Sequence, residues 1–321
     1  MADPIQPTKT LIVVCGPTAT GKTKLGVALA HRFHGEVVSA DSMQIYQGMA
    51  IGTAQPTEEE REGVPHHMMA IVPPSDNYSV ARYVTEATQV VEDLFRRGIQ
   101  PIIVGGTGQY IDALIKGQTF SAFRPETGHR QRLQAQAAAG GLSQLWADLQ
   151  RIDPEAAARL HPHDEKRIVR ALEVWYETGE TISDHNRRTK AQPPRYRALT
   201  LTLAYENRAD LYARIDRRVD EMLAHGLVDE IRGLLAAGVP ADCTAMQAIG
   251  YKEMTAAVRS PDGDLLAAAE EVKLRSRQYA KRRLSWFRRD PEAHWIYLKT
   301  TPDFSAVVQD STEFLRSEGL G

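Results

Sequence analysis

The residues best suited to chemistry in this 321-residue chain stand near its start, where Gly16-Pro17-Thr18-Ala19-Thr20-Gly21-Lys22-Thr23 fits the pattern G-x-x-x-x-G-K-[ST]. In such a loop the glycines let the backbone wrap until successive N–H groups face one anion. A helix that follows adds the positive end of its dipole, Lys22 adds a point charge, and the Thr23 hydroxyl is a ligand for Mg²⁺. The expected phosphate-binding set is Gly16, Thr18, Ala19, Thr20, Gly21, Lys22 and Thr23, with Thr23 as the metal ligand. The loop reads a di- or triphosphate without reading what it carries, so ATP hydrolysis does not follow from it.

A nucleotide hydrolase or motor places an Asp at the end of another apolar strand, to hold magnesium or orient water. The apolar runs Met68 to Val72 and Ile102 to Val104 end without one; the carboxylate at a core-strand end is Asp41, after Val37-Val38-Ser39-Ala40. Ligands of open α/β sheets collect at such ends, which puts Asp41 near whatever Lys22 and Thr23 hold. Two roles stay open for it, a magnesium-associated acid or a general base for an acceptor brought up to the phosphate ester.

Gly105-Gly106-Thr107-Gly108-Gln109-Tyr110 is a second glycine-rich turn between strand and helix. Either Thr107 and the local N–H groups face the same crevice, or the turn needs glycine for positive φ. Arg214 and Arg218 lie one helical turn apart, a spacing that fits a diphosphate clamp and equally a solvated face. His66-His67 and His161-Pro162-His163-Asp164 lack the H-E-x-x-H spacing and accompanying thiolates of a catalytic metal site. Cys15 reads as a buried strand residue.

These residues need a scaffold, and the first hundred positions supply its pattern. Short β-branched runs alternate with amphipathic stretches, which predicts parallel strands joined by helices. Thr10 to Val14, Val37 to Ala40 and Pro101 to Val104 read as strands; Lys24 to Phe33 and Val80 to Phe95 have helical spacing. From Pro125 to Asn186 the chain is rich in Ala, Leu, Gln and Arg and has no good strand. Ala198 to Leu203 then alternates like a strand, helices are predicted over Arg208 to Ala224, Val228 to Ala237 and Leu265 to Trp286, and His294 to Leu298 reads as a last strand. The predicted fold is an α/β, phosphate-loop NTPase-like parallel sheet flanked by helices, residues 1–120 and 197–321, with an inserted all-helical domain at 121–196.

Composition limits what such a fold can be. With 42% hydrophobic and 25% charged residues the chain is globular and needs no disulfide or metal staple, and the two cysteines, Cys15 and Cys243, suit a reducing compartment. No apolar run reaches membrane-span length and the first residues lack a signal-peptide pattern, so a cytoplasmic protein without membrane contact is expected. The net charge of −2 hides a basic run: Lys273, Arg275, Arg277, Lys281, Arg282, Arg283, Arg288 and Arg289 include no acid among them and are interleaved with Tyr279, Trp286 and Phe287. Taken alone, such a run is more often a solvated helix face than a nucleic-acid surface.

The phosphate loop, Asp41-Ser42-Met43-Gln44-Ile45-Tyr46, the glycine turn, Lys166-Arg167-Ile168-Val169-Arg170-Ala171-Leu172-Glu173, Gly250-Tyr251-Lys252-Glu253 and Ser276 to Arg288, in this order, together resemble the bacterial tRNA dimethylallyltransferases over essentially the whole chain. The resemblance implies transfer of a dimethylallyl group from dimethylallyl diphosphate to N6 of adenosine 37 of tRNA, on the 3′ side of the anticodon, with Mg²⁺ as cofactor. It assigns catalysis to Asp41, Thr107 and Arg218, with Arg218 also on the diphosphate. Asp41 becomes the general base for the exocyclic amine, with Ser42, Met43, Gln44 and Thr107 around a base flipped out of the anticodon loop. Contacts to the anticodon stem-loop fall to Lys166, Arg167, Ile168, Val169 and Arg170 of the inserted domain and to Gly250, Tyr251, Lys252, Lys281, Arg282, Arg283, Trp286 and Arg288. Choosing Arg218 over Arg217 follows the Arg-Ile-x-x-Arg spacing from Arg214.

Gln109 stands where the family often has a hydrophobic residue. The chain ends soon after its last strand, without the zinc-finger extension of eukaryotic relatives, which implies a bacterial enzyme, and a monomer is expected. The competing readings are a small-molecule or nucleotide kinase, an RNA-dependent ATPase, and a prenyltransferase acting on free adenine nucleotides. The first two predict ATP turnover, and the first and third need no basic helix.

Overall fold

The computed structural model describes residues 9–118, 120 and 128–321, so the reading of the first seven residues and the start of the helical stretch at 121–127 lie outside it. Two compact units are present, one made of Met1–Gly117 and Arg195–Gly321, the other of Gln118–Pro194.

The first unit is built on a six-stranded, wholly parallel sheet. Its elements begin with β1 (Thr10–Cys15), α1 (Lys22–Arg32), β2 (Gly35–Ser39), the short α2 (Ala50–Thr53) and α3 (Glu58–Arg61), and β3 (His66–His67). They continue with α4 (Val80–Arg96), β4 (Gln100–Gly105) and α5 (Gly108–Lys116). In the second unit follow α6 (His129–Gln136), α7 (Leu142–Ile152), α8 (Pro154–Arg159), α9 (Glu165–Thr178) and α10 (Ile182–Ala191). The chain then returns as β5 (Arg197–Tyr205), α11 (Arg208–Ala224), α12 (Leu227–Ala236), α13 (Tyr251–Arg259), α14 (Leu265–Phe287), β6 (His294–Leu298) and α15 (Phe304–Ser317).

The strand order is β3-β2-β4-β1-β5-β6. Leu11 to Cys15 are wholly buried, as expected where both faces of a parallel strand are covered by helices. Cys15 pairs in register with Gly105 on one side and Thr202 on the other, and Ser39 with Val104. The loops after β1, β2 and β4 therefore leave the same edge of the sheet side by side, and this edge is where ligands of open parallel sheets bind.

Local sequence explains the helices that flank this edge. In α4, Tyr83, Val84, Ala87, Val91 and Leu94 form one buried stripe, and the Ser79 hydroxyl caps the start by accepting from the Arg82 amide. The Tyr83 ring stacks on Tyr110 of α5 at 4.2 Å, and its hydroxyl donates to the Ser39 carbonyl at 3.0 Å, which pins the end of β2 two residues before Asp41. Cys15 is a free, buried thiol in contact with the Thr202 hydroxyl at 3.2 Å, and burial pushes its pKa up to about 12, so it is inert at neutral pH.

The second unit has its own core of Leu133, Leu145, Leu149, Ile168 and Leu172. Wholly buried Glu173 of α9 is held by Arg130 at 2.7 and 2.8 Å and by Arg170 at 2.7 Å. Asp153 caps α8 through the Ala156 amide and also accepts from the Ser183 amide at the start of α10.

One sequence expectation changes here. Met68 to Val72 does not form a strand: Met68 and Ala70 have positive φ, the ladder stops at His67, and Val72 bridges to Tyr46. After β6, α15 packs against α1 and buries Val307 and Leu315 in the sheet core. Among the described residues no helix is long and apolar enough to cross a membrane.

Candidate active site at the phosphate loop

The loop from Gly16 to Gly21 joins β1 to α1 with the backbone that the pattern demands. Gly16 has φ +139°, and a Cβ there would stand 2.4 Å from the Leu203 carbonyl oxygen. Gly21 precedes α1 in the left-handed region, no side chain caps the helix, and no acid sits in its first turn, so its opening N–H groups are left for an anion. The buried Thr20 hydroxyl donates to the Pro17 carbonyl at 2.9 Å and shapes the loop from inside. Lys22 Nζ donates to the same carbonyl at 2.6 Å. Burial, then the Arg283 and Arg218 guanidiniums, lower its pKa to about 7.

Asp41 stands just past β2 at the mouth of this loop. One carboxylate oxygen accepts the Met43 amide at 3.0 Å and the other accepts Arg283 at 2.9 Å. Burial pushes its pKa up, but the Arg283 guanidinium, the Met43 amide and the Lys22 ammonium outweigh that and hold it below the ordinary Asp value. Asp41 is therefore ionised at neutral pH. Arg218, on α11, is close enough to act on both Lys22 and Asp41, and burial lowers its own pKa. Arg283 thus pairs directly with Asp41, Lys22 and Arg218 lie near enough to act on the same carboxylate, and Glu60 and Glu221 also act on Arg218.

Thr107 ties this loop to the neighbouring glycine turn. Its hydroxyl accepts the Ser42 amide at 3.1 Å and lies 3.3 Å from the Ser42 hydroxyl, and its amide donates to the Ala40 carbonyl. The Gln44 carboxamide is spent within the Asp41 segment, accepting from Ser39 and donating to the Thr53 and Ala54 carbonyls, so it shapes the loop and is not presented to a base. In the glycine turn, Gly105, Gly106 and Gly108 do not have positive φ. Close approach is what requires glycine: a Cβ on Gly106 would meet the Arg283 guanidinium at 2.5 Å and one on Gly108 the Trp286 ring at 2.3 Å. Gln109 faces solvent.

The structure sorts the basic run of α14 by what each side chain touches. Lys273 pairs with Asp220 and Glu270, Arg275 with Glu271, and Arg277 with Asp216. Lys281, Arg282 and Arg288 are exposed and carry no ion pair among the described residues. Arg283 does not belong with them: it turns inward to Asp41, its guanidinium over the Tyr279 ring at 4.4 Å. Half-buried Trp286 packs on Gly108 beneath Arg289 and donates to Asp112, so it acts first as an internal wedge.

Other expected RNA contacts also change. Ile168 and Val169 are buried in the helical core because they lie on the inner face of α9, while Lys166 and Arg167 are exposed. Arg167 and Arg170 have carboxylate partners in Asp164 and Glu173. Tyr251 is wholly buried and its hydroxyl donates to Glu230 at 2.5 Å, while Glu230 also accepts the Ile51 and Gly52 amides. It locks α12, α13 and α2 together and cannot meet a ligand. Gly250 starts α13, its amide held by Glu253, and Lys252 is exposed. On α11, Arg214 and Arg217 are exposed, while Arg218 is near enough to act on Lys22 and Asp41. The paired histidines are structural: His67 contacts Glu36 at 2.6 Å and His66 the Val64 carbonyl.

Helix N–H groups free of side-chain caps at the carboxyl edge of a parallel sheet make this a phosphate-loop α/β protein, with ionised Asp41 at the mouth of the loop. Residues 44–290 match the model of the IPP transferase family, and the chain belongs to that family; it is a transferase. The tRNA dimethylallyltransferase of Geobacter metallireducens is 47% identical over 89% of this chain and 92% of its own. That of Caldanaerobacter subterraneus subsp. tengcongensis is 42% identical over 95% and 97%. Among solved structures, the full-length tRNA isopentenylpyrophosphate transferase of Bacillus halodurans matches with TM-score 0.71 and 39% identity over 97% of this chain and 96% of that one. A eukaryotic dimethylallyltransferase acting on tRNA matches with TM-score 0.77 and 30% identity over 97% and 80%.

Proposed function

We propose that this protein transfers the dimethylallyl group of dimethylallyl diphosphate to N6 of adenosine 37 in the anticodon loop of tRNA, working as a cytoplasmic monomer. The observation that carries the reading is the pairing of a phosphate cradle with an ionised carboxylate at its mouth. Family membership sets aside the kinase.

In the reaction the allylic carbon–oxygen bond breaks and its electron pair leaves with the diphosphate. The N6 lone pair forms the new carbon–nitrogen bond, and the amine proton passes to Asp41. Negative charge grows on the leaving group, where the helix N–H groups, Lys22 and Arg218 stabilise it. Asp41 is ionised and so able to accept the proton, and Thr107 fixes the segment that carries it.

Magnesium fits this donor set as a shared ion. Among the described residues no three His, Cys, Asp or Glu side chains gather into a metal cluster, so the Thr23 hydroxyl and the diphosphate oxygens would hold it. When bound there it would neutralise charge on the leaving group.

For tRNA, the exposed cations Lys281, Arg282 and Arg288 on α14, Lys252 on α13, and Lys166 and Arg167 on α9 supply phosphate contacts. Ser42 and Met43 line the approach of the flipped base to Asp41. The test uses purified protein, Mg²⁺, radiolabelled dimethylallyl diphosphate and an unmodified tRNA with adenosine after its anticodon. Label should enter that tRNA and not its guanosine counterpart, whereas tRNA-stimulated ATP hydrolysis without transfer would overturn the assignment.

A further inference from the structure

Four buried side-chain polar atoms lack a hydrogen-bond partner among the described residues, and two of them are Arg218 Nε and Arg283 Nε. Buried guanidinium N–H groups are rarely left unpaired without a reason in function. Both guanidiniums border Lys22; among the described residues the one ion pair these three cations make is that of Arg283 with Asp41, while Glu60 and Glu221 also act on Arg218.

Arg283 is held where it can serve two partners. Its terminal nitrogen meets Asp41 at 2.9 Å, its plane lies over Tyr279, and the bare Cα of Gly106 makes room for it. That bond engages the same carboxylate oxygen that a general base needs free. We propose that Arg283 is shared between Asp41 and the donor: when a diphosphate fills the loop, the guanidinium turns from the carboxylate to the phosphate oxygens, completing a triad with Lys22 and Arg218 and releasing Asp41 for the adenine amine. The exchange makes the base available only when the leaving group is in place. It rests on the diphosphate-binding reading of the loop and adds to it a residue whose preceding neighbours, Lys281 and Arg282, are exposed.

Competition between Asp41 and an anion for one guanidinium leaves a signature in binding, apart from turnover. Inorganic pyrophosphate with Mg²⁺ is titrated calorimetrically into wild type, Asp41→Asn, Arg283→Gln, Arg283→Lys and the Asp41→Asn/Arg283→Gln double variant, each checked for an unchanged thermal transition. Arg283→Gln should weaken pyrophosphate about tenfold, as expected for losing one charge-assisted contact, with tRNA affinity and its salt dependence unchanged. Arg283→Lys, which keeps the charge but not the fork, should fall between. Asp41→Asn should bind pyrophosphate roughly threefold or more tighter, because the competitor is weakened, and the gain should vanish in the double variant.

Additive effects of the two substitutions would overturn the exchange. So would an Arg283→Gln variant that binds pyrophosphate normally but loses tRNA affinity with a shallower salt slope, which would return Arg283 to the RNA surface. If wild type itself fails to bind pyrophosphate, the diphosphate reading of the loop falls, and this inference with it.

Discussion

The Thr107 hydroxyl accepts the Ser42 amide at 3.1 Å, so the glycine turn after β4 holds the segment carrying Asp41. In the proposed reaction the placement of the base thus depends on a contact between two neighbouring loops, and misplacing a base by about 1 Å can cost a hundredfold in rate. Thr107→Val should lower kcat by about 10–100-fold with tRNA affinity within about twofold, and Thr107→Ser should recover most of the loss. Single-turnover transfer measured beside tRNA binding checks this. A loss confined to tRNA affinity would make Thr107 an RNA contact.

Asp41→Asn keeps the shape of the side chain and removes the proton acceptor. The chemical step should slow by roughly 10²–10⁴ with tRNA affinity little changed. Single-turnover rates on pre-bound tRNA measure it, and an unaltered rate would remove Asp41 from proton transfer.

Lys22 titrates near pH 7 in the free protein because it is buried among cations. A bound diphosphate favours its protonated form and raises that pKa. Below about pH 7 the charge is already present. Above it, binding must take up a proton, so affinity for the anion falls as pH rises. Calorimetry at pH 8 in buffers of different ionisation enthalpy should show proton uptake that Lys22→Met lacks. Equal uptake in both proteins would assign the proton to the ligand.

The two halves of the basic run should behave differently. Lys281, Arg282 and Arg288 carry no ion pair among the described residues, so replacing them with Ala should weaken tRNA binding and reduce the slope of log K against log salt by about 2–3. Lys273, Arg275 and Arg277 already have carboxylate partners, so the same change there should leave the slope nearly unaltered. Equal effects from both sets would mean that RNA breaks the helix's own pairs.

Much of this fold could be read from periodicity. The β-branched runs after Thr10, at Val37 and at Pro101 became strands of one parallel sheet, and the phosphate-loop pattern lay where a strand must meet a helix. Residue type was a weaker guide within motifs. Ile168 and Val169 sit between cations in sequence, yet an apolar pair in an amphipathic helix belongs to the inner face, and α9 buries them. Tyr251 follows the same logic. Arg283 was beyond sequence reasoning: Lys281 and Arg282 beside it point outward, and the partner that draws it inward is 242 residues away.

That separation bears on how the protein comes into being. Synthesis delivers the phosphate loop and Asp41 first, then the whole helical unit, and only afterwards α11 with Arg218 and α14 with Arg283. A nascent chain still tethered to the ribosome, with α14 unmade, has the cradle but not the guanidiniums that complete its charge. On the proposed roles of Arg218 and Arg283, ligand competence is therefore among the last properties the polypeptide acquires, and a prematurely terminated product would be born without it.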